Sequence, residues 1–196
     1  MSLYSIGKPI VSAFYHFYFR IHVKGRENIP EEGPVLICCN HLSNYDPPLV
    51  GISIKRSLSF VAKEELFEKP LMGWVYRHVH AFPIKRGTGD RGAIRAALHL
   101  LRQGNALLIF PEGTRNHSGS LNKGLSGAGF FALKTDAKVI PCAIIGNYKF
   151  RARITVAFGK PMAFEALKQR KVKPSEASAK IMEKIQGLLD QNKVNV

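Results

Sequence analysis

Residues 35–39 read Val-Leu-Ile-Cys-Cys, five apolar side chains between Pro34 and Asn40. A run that short and unbroken predicts a strand buried on both faces. Similar runs recur at 58–62, 80–84, 106–110, 139–145 and 153–158. Helical stretches fall between them. Asp46-Pro47-Pro48 opens a helix over about 47–54, since proline is tolerated in a first turn. Residues 64–78 predict one or two short helices, broken near Pro70. Ala93 to Arg102 predicts a helix ended by Gly104, and Gly127 to Lys134 another. Over 175–189 the pattern is amphipathic, with Ile181, Ile185, Leu188 and Leu189 inward. Strands alternating with helices specify an α/β fold: one domain, with a central mostly parallel or mixed sheet flanked by helices.

Residues 2–22 follow a different pattern. Leu3, Ile6, Ile10, Phe14, Phe17 and Ile21 recur at spacings of three and four, one face of a helix. Tyr4, Tyr15, Tyr18 and Phe19 widen that face, and Pro9 is a candidate break in its first turns. Two readings stand side by side. The segment packs on the core, or it lies in the headgroup layer of a bilayer, where Tyr and Phe rings are at home. The expected division is therefore an amphipathic membrane-surface helix over 1–22 and the main domain over 23–196.

Charge changes the picture more than size does. The 196 residues carry 29 Lys and Arg against 14 Asp and Glu, a net charge of +15. Such an excess calls for an anionic partner: nucleic acid, anionic bilayer, phosphorylated substrate or acidic carrier protein. No run reaches the roughly 20 apolar residues needed to span a bilayer, and no secretory signal is legible. Cys38, Cys39 and Cys142 each sit in an apolar run, without a CxxC pair, and read as reduced core residues of a cytosolic protein. No His/Cys cluster has metal-site spacing, so no metal is expected.

The candidate chemistry lies where two buried strands end. His41 follows the first, and Asp46 stands five residues on, at a helix start. Ligands in α/β sheets collect at the carboxyl ends of strands. A carboxylate folded back onto the imidazole would fix its tautomer and leave the other ring nitrogen to take a proton from a hydroxyl. The plain alternative is an aspartate capping its helix beside an incidental loop histidine. The second stretch, Phe110-Pro111-Glu112-Gly113-Thr114-Arg115, offers exposed backbone N–H groups, a hydroxyl and a forked guanidinium, the parts of a phosphate site. Alone, it reads more readily as a turn with a surface arginine.

Together and in this order, the two stretches resemble the glycerolipid acyltransferase family. Asn40-His41-x4-Asp46 matches its NHx4D motif and Phe110 to Arg115 its FPEGTR motif. Phe82-Pro83-Ile84-Lys85-Arg86 and Val139-Ile140-Pro141-Cys142-Ala143 resemble its two weaker blocks, so the resemblance covers about residues 23–160. Within the family the chain looks most like bacterial 1-acyl-sn-glycerol-3-phosphate acyltransferases. The resemblance implies a glycerol-3-phosphate acyltransferase-like fold, with His41 and Asp46 catalytic. Arg86, Glu112, Gly113, Thr114, Arg115 and Lys123 would bind the phosphate and glycerol, with Glu112 orienting Arg115 or a glycerol hydroxyl. Lys85 departs from the family, which often has an acidic residue there, and adds a cation beside Arg86. The implied acceptor is lysophosphatidic acid, with another lysophospholipid or a glycerol-phosphate-like molecule as the alternative. Acyl-CoA or acyl carrier protein would be the co-substrate, with no resident cofactor. The implied location is peripheral, on anionic lipid at the cytoplasmic face of the cell membrane, with no nucleic-acid partner.

Rival patterns fail on context. Gly87-Thr88-Gly89-Asp90-Arg91-Gly92 imitates a dinucleotide fingerprint, but Pro83 and Lys85-Arg86 interrupt the strand that should feed it. Gly124-Leu125-Ser126-Gly127-Ala128 imitates a nucleophile elbow, but polar residues precede it where a strand is required. The basic residues form no nucleic-acid-binding motif. Each histidine other than His41 stands without a ligand set, and Trp74 and Tyr76 read as core residues.

Overall fold

A computed structural model describes residues 3–68, 73, 81–84, 90–116 and 120–193. Arg86, Lys85, the glycines at 87 and 89, Trp74, Tyr76 and the expected break at Pro70 lie outside these residues. The described strands are β1 (Arg20–Lys24), β2 (Val35–Cys39), β3 (Leu58–Lys63), β4 (Ala81–Ile84), β5 (Ala106–Ile109), β6 (Lys138–Gly146) and β7 (Arg153–Phe158). The described helices of four residues or more are α1 (Leu3–Tyr18), α2 (Asp46–Ser53), α3 (Glu65–Glu68), α4 (Arg91–Arg102), α5 (Gly127–Lys134), α6 (Glu165–Gln169) and α7 (Pro174–Asn192).

The strands form one sheet in the order β1-β7-β6-β2-β5-β3-β4. Every pairing is parallel except β6 with β7. The expected α/β architecture with a mixed central sheet is the one observed. Parallel strands need helical crossovers, and these cover both faces. The alternation along β2 shows it. Val35, Ile37 and Cys39 join the core beneath α1 and α2. Leu36 and Cys38 join the core beneath α4, α5 and α7. All three cysteines are free and buried, and burial raises the Cys38 and Cys39 thiols far above their ordinary pKa, as expected of inert core residues.

The N-terminal segment departs from the expected pattern. The helix does not run to residue 22. It ends at Tyr18, and Arg20-Ile21-His22-Val23-Lys24 forms β1, paired with β7 from Arg20↔Arg153 to Lys24↔Ala157. Ile21 fits both a helical and a two-residue period, and the edge of the sheet decides between them. The boundary expected at residue 22 therefore falls inside a strand. Pro9 lies within α1 rather than at its start. The short helix α6 was also not anticipated.

Below the sheet, α5 and α7 approach closely at Gly129. A Cβ there would lie 2.0 Å from the Pro174 carbonyl oxygen and 2.6 Å from the Ser178 nitrogen. The buried Ser178 hydroxyl accepts from the Gly129 N–H (2.9 Å) and donates to the Leu125 carbonyl (2.7 Å). Gly129→Ala should push the two helices apart and cost about 1–3 kcal/mol, read as a lower midpoint in urea unfolding. An unchanged midpoint would show that the contact tolerates a methyl group.

Candidate active site

Strands β2 and β5 are parallel neighbours, with Cys38 opposite Ile109. Residues just past them leave the sheet side by side, so stretches about 70 positions apart in sequence meet in space. Asn40 extends the pairing by one step. Its side-chain amide donates to the Ile144 carbonyl (3.0 Å) and accepts from the Ile144 N–H (2.7 Å) on β6. The next residue, His41, is free to turn out of the sheet.

The backbone of His41 is held by the other stretch. Its N–H donates to Glu112 Oε1 (3.0 Å), and its carbonyl accepts from the Asn116 N–H (2.7 Å). Its ring lies on Phe110, centroids 3.9 Å apart and 14° from parallel. Its Nδ1 is 2.7 Å from Asp46 Oδ2. An ionised carboxylate only accepts, so Nδ1 carries the hydrogen, and in the neutral ring Nε2 is the nitrogen with the lone pair. Nε2 has no hydrogen-bond partner among the described residues, and the His41 residue is 7% exposed.

Asp46 is wholly buried. Its Oδ2 also accepts from the N–H groups of Leu42 (2.6 Å) and Ser43 (2.8 Å), and its Oδ1 from the Tyr148 hydroxyl. None of these partners belongs to α2, so the carboxylate serves the loop and the imidazole rather than capping its helix. Burial, followed by the neighbouring Asp46 charge, raises the Tyr148 phenol well above its ordinary pKa. Tyr148 therefore stays a hydrogen-bond donor across the whole working range.

The second stretch is a turn. Gly113 adopts φ +71°, and its N–H donates to the Phe110 carbonyl (3.0 Å). The positive φ favours glycine, and a Cβ there would only displace the exposed Leu125 side chain, whose Cδ1 lies 2.5 Å away. Thr114 and Arg115 are exposed. Lys123 is exposed on a neighbouring segment, stitched to the turn on either side: Asn122 N–H donates to Glu112 Oε2 (3.0 Å), and Leu125 N–H to the Pro111 carbonyl (2.8 Å). The chain thus brings Gly113, Thr114, Arg115 and Lys123 together on the flank of His41. Arg86, the remaining cation of the expected phosphate clamp, lies outside the described residues.

Glu112 occupies a different place from the one expected. It is 5% exposed. Its described hydrogen bonds are accepted from His41 N–H, Asn122 N–H and Asn116 Nδ2 (3.1 Å), so it braces the site internally and does not reach out to Arg115. Tyr148, Asn116 and the stacking role of Phe110 are additions that sequence reasoning did not supply. Asn116 directly follows the recognised stretch and was within reach of a closer reading. Tyr148 is 102 positions from Asp46, and nothing local marks it.

An acyltransferase family model matches residues 20–145, from the first residue of β1 into β6, and includes both stretches. The chain belongs to the acyltransferase family. Among relatives within the family, the chloroplastic 1-acyl-sn-glycerol-3-phosphate acyltransferase of Arabidopsis thaliana is 31% identical over 147 residues, covering 74% of this chain and 41% of that one. The chain spans about two fifths of the plant relatives it matches. The 1-acyl-sn-glycerol-3-phosphate acyltransferase of Bacillus subtilis is 27% identical over 182 residues, covering 87% of this chain and 90% of that one. The crystal structure of the 1-acyl-sn-glycerophosphate acyltransferase of Thermotoga maritima has the same fold, with a TM-score of 0.79 at 22% identity, over 98% of this chain and 81% of that one.

Bracing by Glu112 is testable without any substrate. Glu112→Ala leaves three donors short of their acceptor, at about 1–3 kcal/mol for each buried one. Urea unfolding should show a loss of about 3 kcal/mol or more. Stability equal to the parent protein would mean that the carboxylate braces nothing.

Proposed function

We propose that the protein transfers a fatty acyl group from a thioester donor to the sn-2 hydroxyl of lysophosphatidic acid, forming phosphatidic acid. One observation carries this reading: an imidazole fixed through Nδ1 on a buried carboxylate, its Nε2 unengaged, beside an exposed turn rich in phosphate-binding groups. The names of the relatives support the choice of acceptor.

His41 Nε2 takes the proton of the acceptor hydroxyl as its oxygen attacks the thioester carbonyl. The buried Asp46 stabilises the imidazolium that forms. The tetrahedral intermediate collapses, the C–S bond breaks, and the imidazolium proton passes to the departing thiolate. No covalent acyl-enzyme is needed, because the substrate supplies the nucleophile. Arg115, Lys123 and Arg86 hold the acceptor phosphate, with Gly113 and Thr114 adding backbone and hydroxyl contacts. Holding both substrates in reacting geometry supplies several further kcal/mol. Glu112 serves the substrate indirectly, by keeping the His41 backbone against the turn. Acyl-CoA or acyl carrier protein enters as a co-substrate.

Both substrate and product are membrane lipids, and the surface of α1 suits a bilayer seat. Ile10 is 66% exposed, Phe14 51% and Phe17 69%, all on one face. Phe150, at 59%, joins them from the β6–β7 connection, with its ring centroid 5.1 Å from Tyr18 and 6.4 Å from Phe17. No described helix is long and apolar enough to cross a membrane. A peripheral seat on the cytoplasmic face follows from this reading, with anionic lipid drawn to the positive net charge.

His41→Ala should lower acyl transfer to lysophosphatidic acid by about 10²–10⁴-fold while circular dichroism shows the fold retained. Turnover kept by that variant would remove the mechanism. Phe17→Ser with Phe150→Ser should weaken sedimentation with anionic phospholipid vesicles by about tenfold or more per ring. Unchanged sedimentation would place the bilayer contact elsewhere.

A further inference from the structure

Asp46 receives its fourth hydrogen bond from a residue that belongs to neither recognised stretch. Tyr148 donates to Oδ1, while His41, Leu42 and Ser43 share Oδ2. Without Tyr148, one oxygen of a fully buried carboxylate would lack any described donor, and the group would be held through Oδ2 alone.

The ring of Tyr148 is itself held by two aromatic neighbours. Phe19, buried just past the end of α1, meets it edge to face, with centroids 5.5 Å apart and planes at 83°. Tyr45, the residue before Asp46, lies 5.5 Å away on another side. Tyr15 of α1 closes the group. Its ring contacts Phe19 at 5.7 Å and Tyr45 at 6.2 Å, and its hydroxyl donates to the Tyr45 carbonyl (3.0 Å). The inner face of α1 therefore sets the backbone before Asp46, and Phe19 just past its end sets the phenol that meets the carboxylate.

We infer that Tyr148 is a positioning residue for the His41–Asp46 pair, its hydroxyl helping to aim the Asp46 carboxylate at Nδ1 and its ring held by Phe19 and Tyr45. This rests on the general-base role proposed for His41. The phenol touches the carboxylate and reaches the substrate only through the imidazole. Its removal should therefore act on the chemical step and leave substrate binding alone. The mispositioned pair would hold the imidazolium less well as the hydroxyl proton leaves.

Tyr148→Phe keeps the ring and removes only the hydroxyl. In the full chain, assayed with 1-oleoyl lysophosphatidic acid and a long-chain acyl-CoA or acyl carrier protein, kcat should fall about ten- to a hundredfold, the scale of one hydrogen bond to a charged group. KM for both substrates should stay unchanged, and the thermal midpoint should fall by only a few degrees, the cost of one buried carboxylate oxygen left without its donor. The proton NMR resonance of His41 Nδ1–H, recorded without substrate, should move relative to the parent protein. Replacement of Tyr148 by a fluorinated tyrosine, which keeps a hydroxyl, should retain most of kcat and leave that resonance near its place. Unchanged kcat in Tyr148→Phe would overturn the assignment, and so would a KM effect alone, since that marks a substrate contact. A parent protein inactive on lysophosphatidic acid would defeat the proposed function separately. In that event the resonance decides by itself: if Tyr148→Phe leaves it unmoved, the positioning role is wrong.

Discussion

Placing Asp46 under the surface with no exposed area dictates much of the surrounding structure. A carboxylate stripped of water is costly unless donors replace the lost solvation. The loop from Leu42 to Ser43 bends so that two N–H groups point at one oxygen. His41 must present Nδ1–H, which leaves Nε2 as a base. Tyr148 must reach in from the far end of β6 to meet the other oxygen. Each of these requirements serves burial first. Their joint result is an imidazole with one tautomer and one orientation, and this is what general-base chemistry requires.

The sheet supplies what the carboxylate cannot. His41 and Glu112 leave adjacent parallel strands at the same level, so a backbone N–H of one meets the side chain of the other across a short gap. Glu112 then ties that level to Asn116 and Asn122, which sets the exposed turn and Lys123 beside the imidazole. Phosphate binding needs exposed cations, whereas proton transfer needs a protected base. A buried strut with an exposed turn on its far side meets both demands within a few residues.

Those same forces explain which features the sequence made legible. Runs such as 35–39 and 139–145 showed the buried strands because both faces of the sheet are covered, and the alternation of strands with helices then gave the architecture. His41 and Asp46 were readable as a pair because they are five positions apart. Their partner Tyr148 was not, because the contact depends on how β6 lies against β2 and on where the chain goes after Gly146. Glu112 was expected, from the family resemblance, to orient Arg115 or a glycerol hydroxyl. Only burial in three dimensions shows that its side chain turns the other way. At Ile21 the local pattern was ambiguous, and pairing with β7 settled it.

The N-terminal helix admitted two readings, packing on the core or lying on a bilayer, and the coordinates show that they are compatible. Ile10, Phe14 and Phe17 are spaced by four and three and face outward. Val11 and Tyr15 of the helix, with Phe19 just beyond it, are spaced by four and face the core. Its inner face grips α2 at both ends. Tyr15 holds the carbonyl before Asp46, and Lys8 Nζ donates to the carbonyls of Ile54 (2.6 Å) and Lys55 (3.2 Å) past the other end. The cation there complements the negative end of the helix dipole, although burial, with Arg26 nearby, lowers the Lys8 pKa. A helix that exposes apolar side chains on one side and sets the backbone of the buried aspartate on the other is a short mechanical link. Displacement of α1 would be felt through Tyr15 at Tyr45, and so at the backbone that carries Asp46, without passing through the substrate.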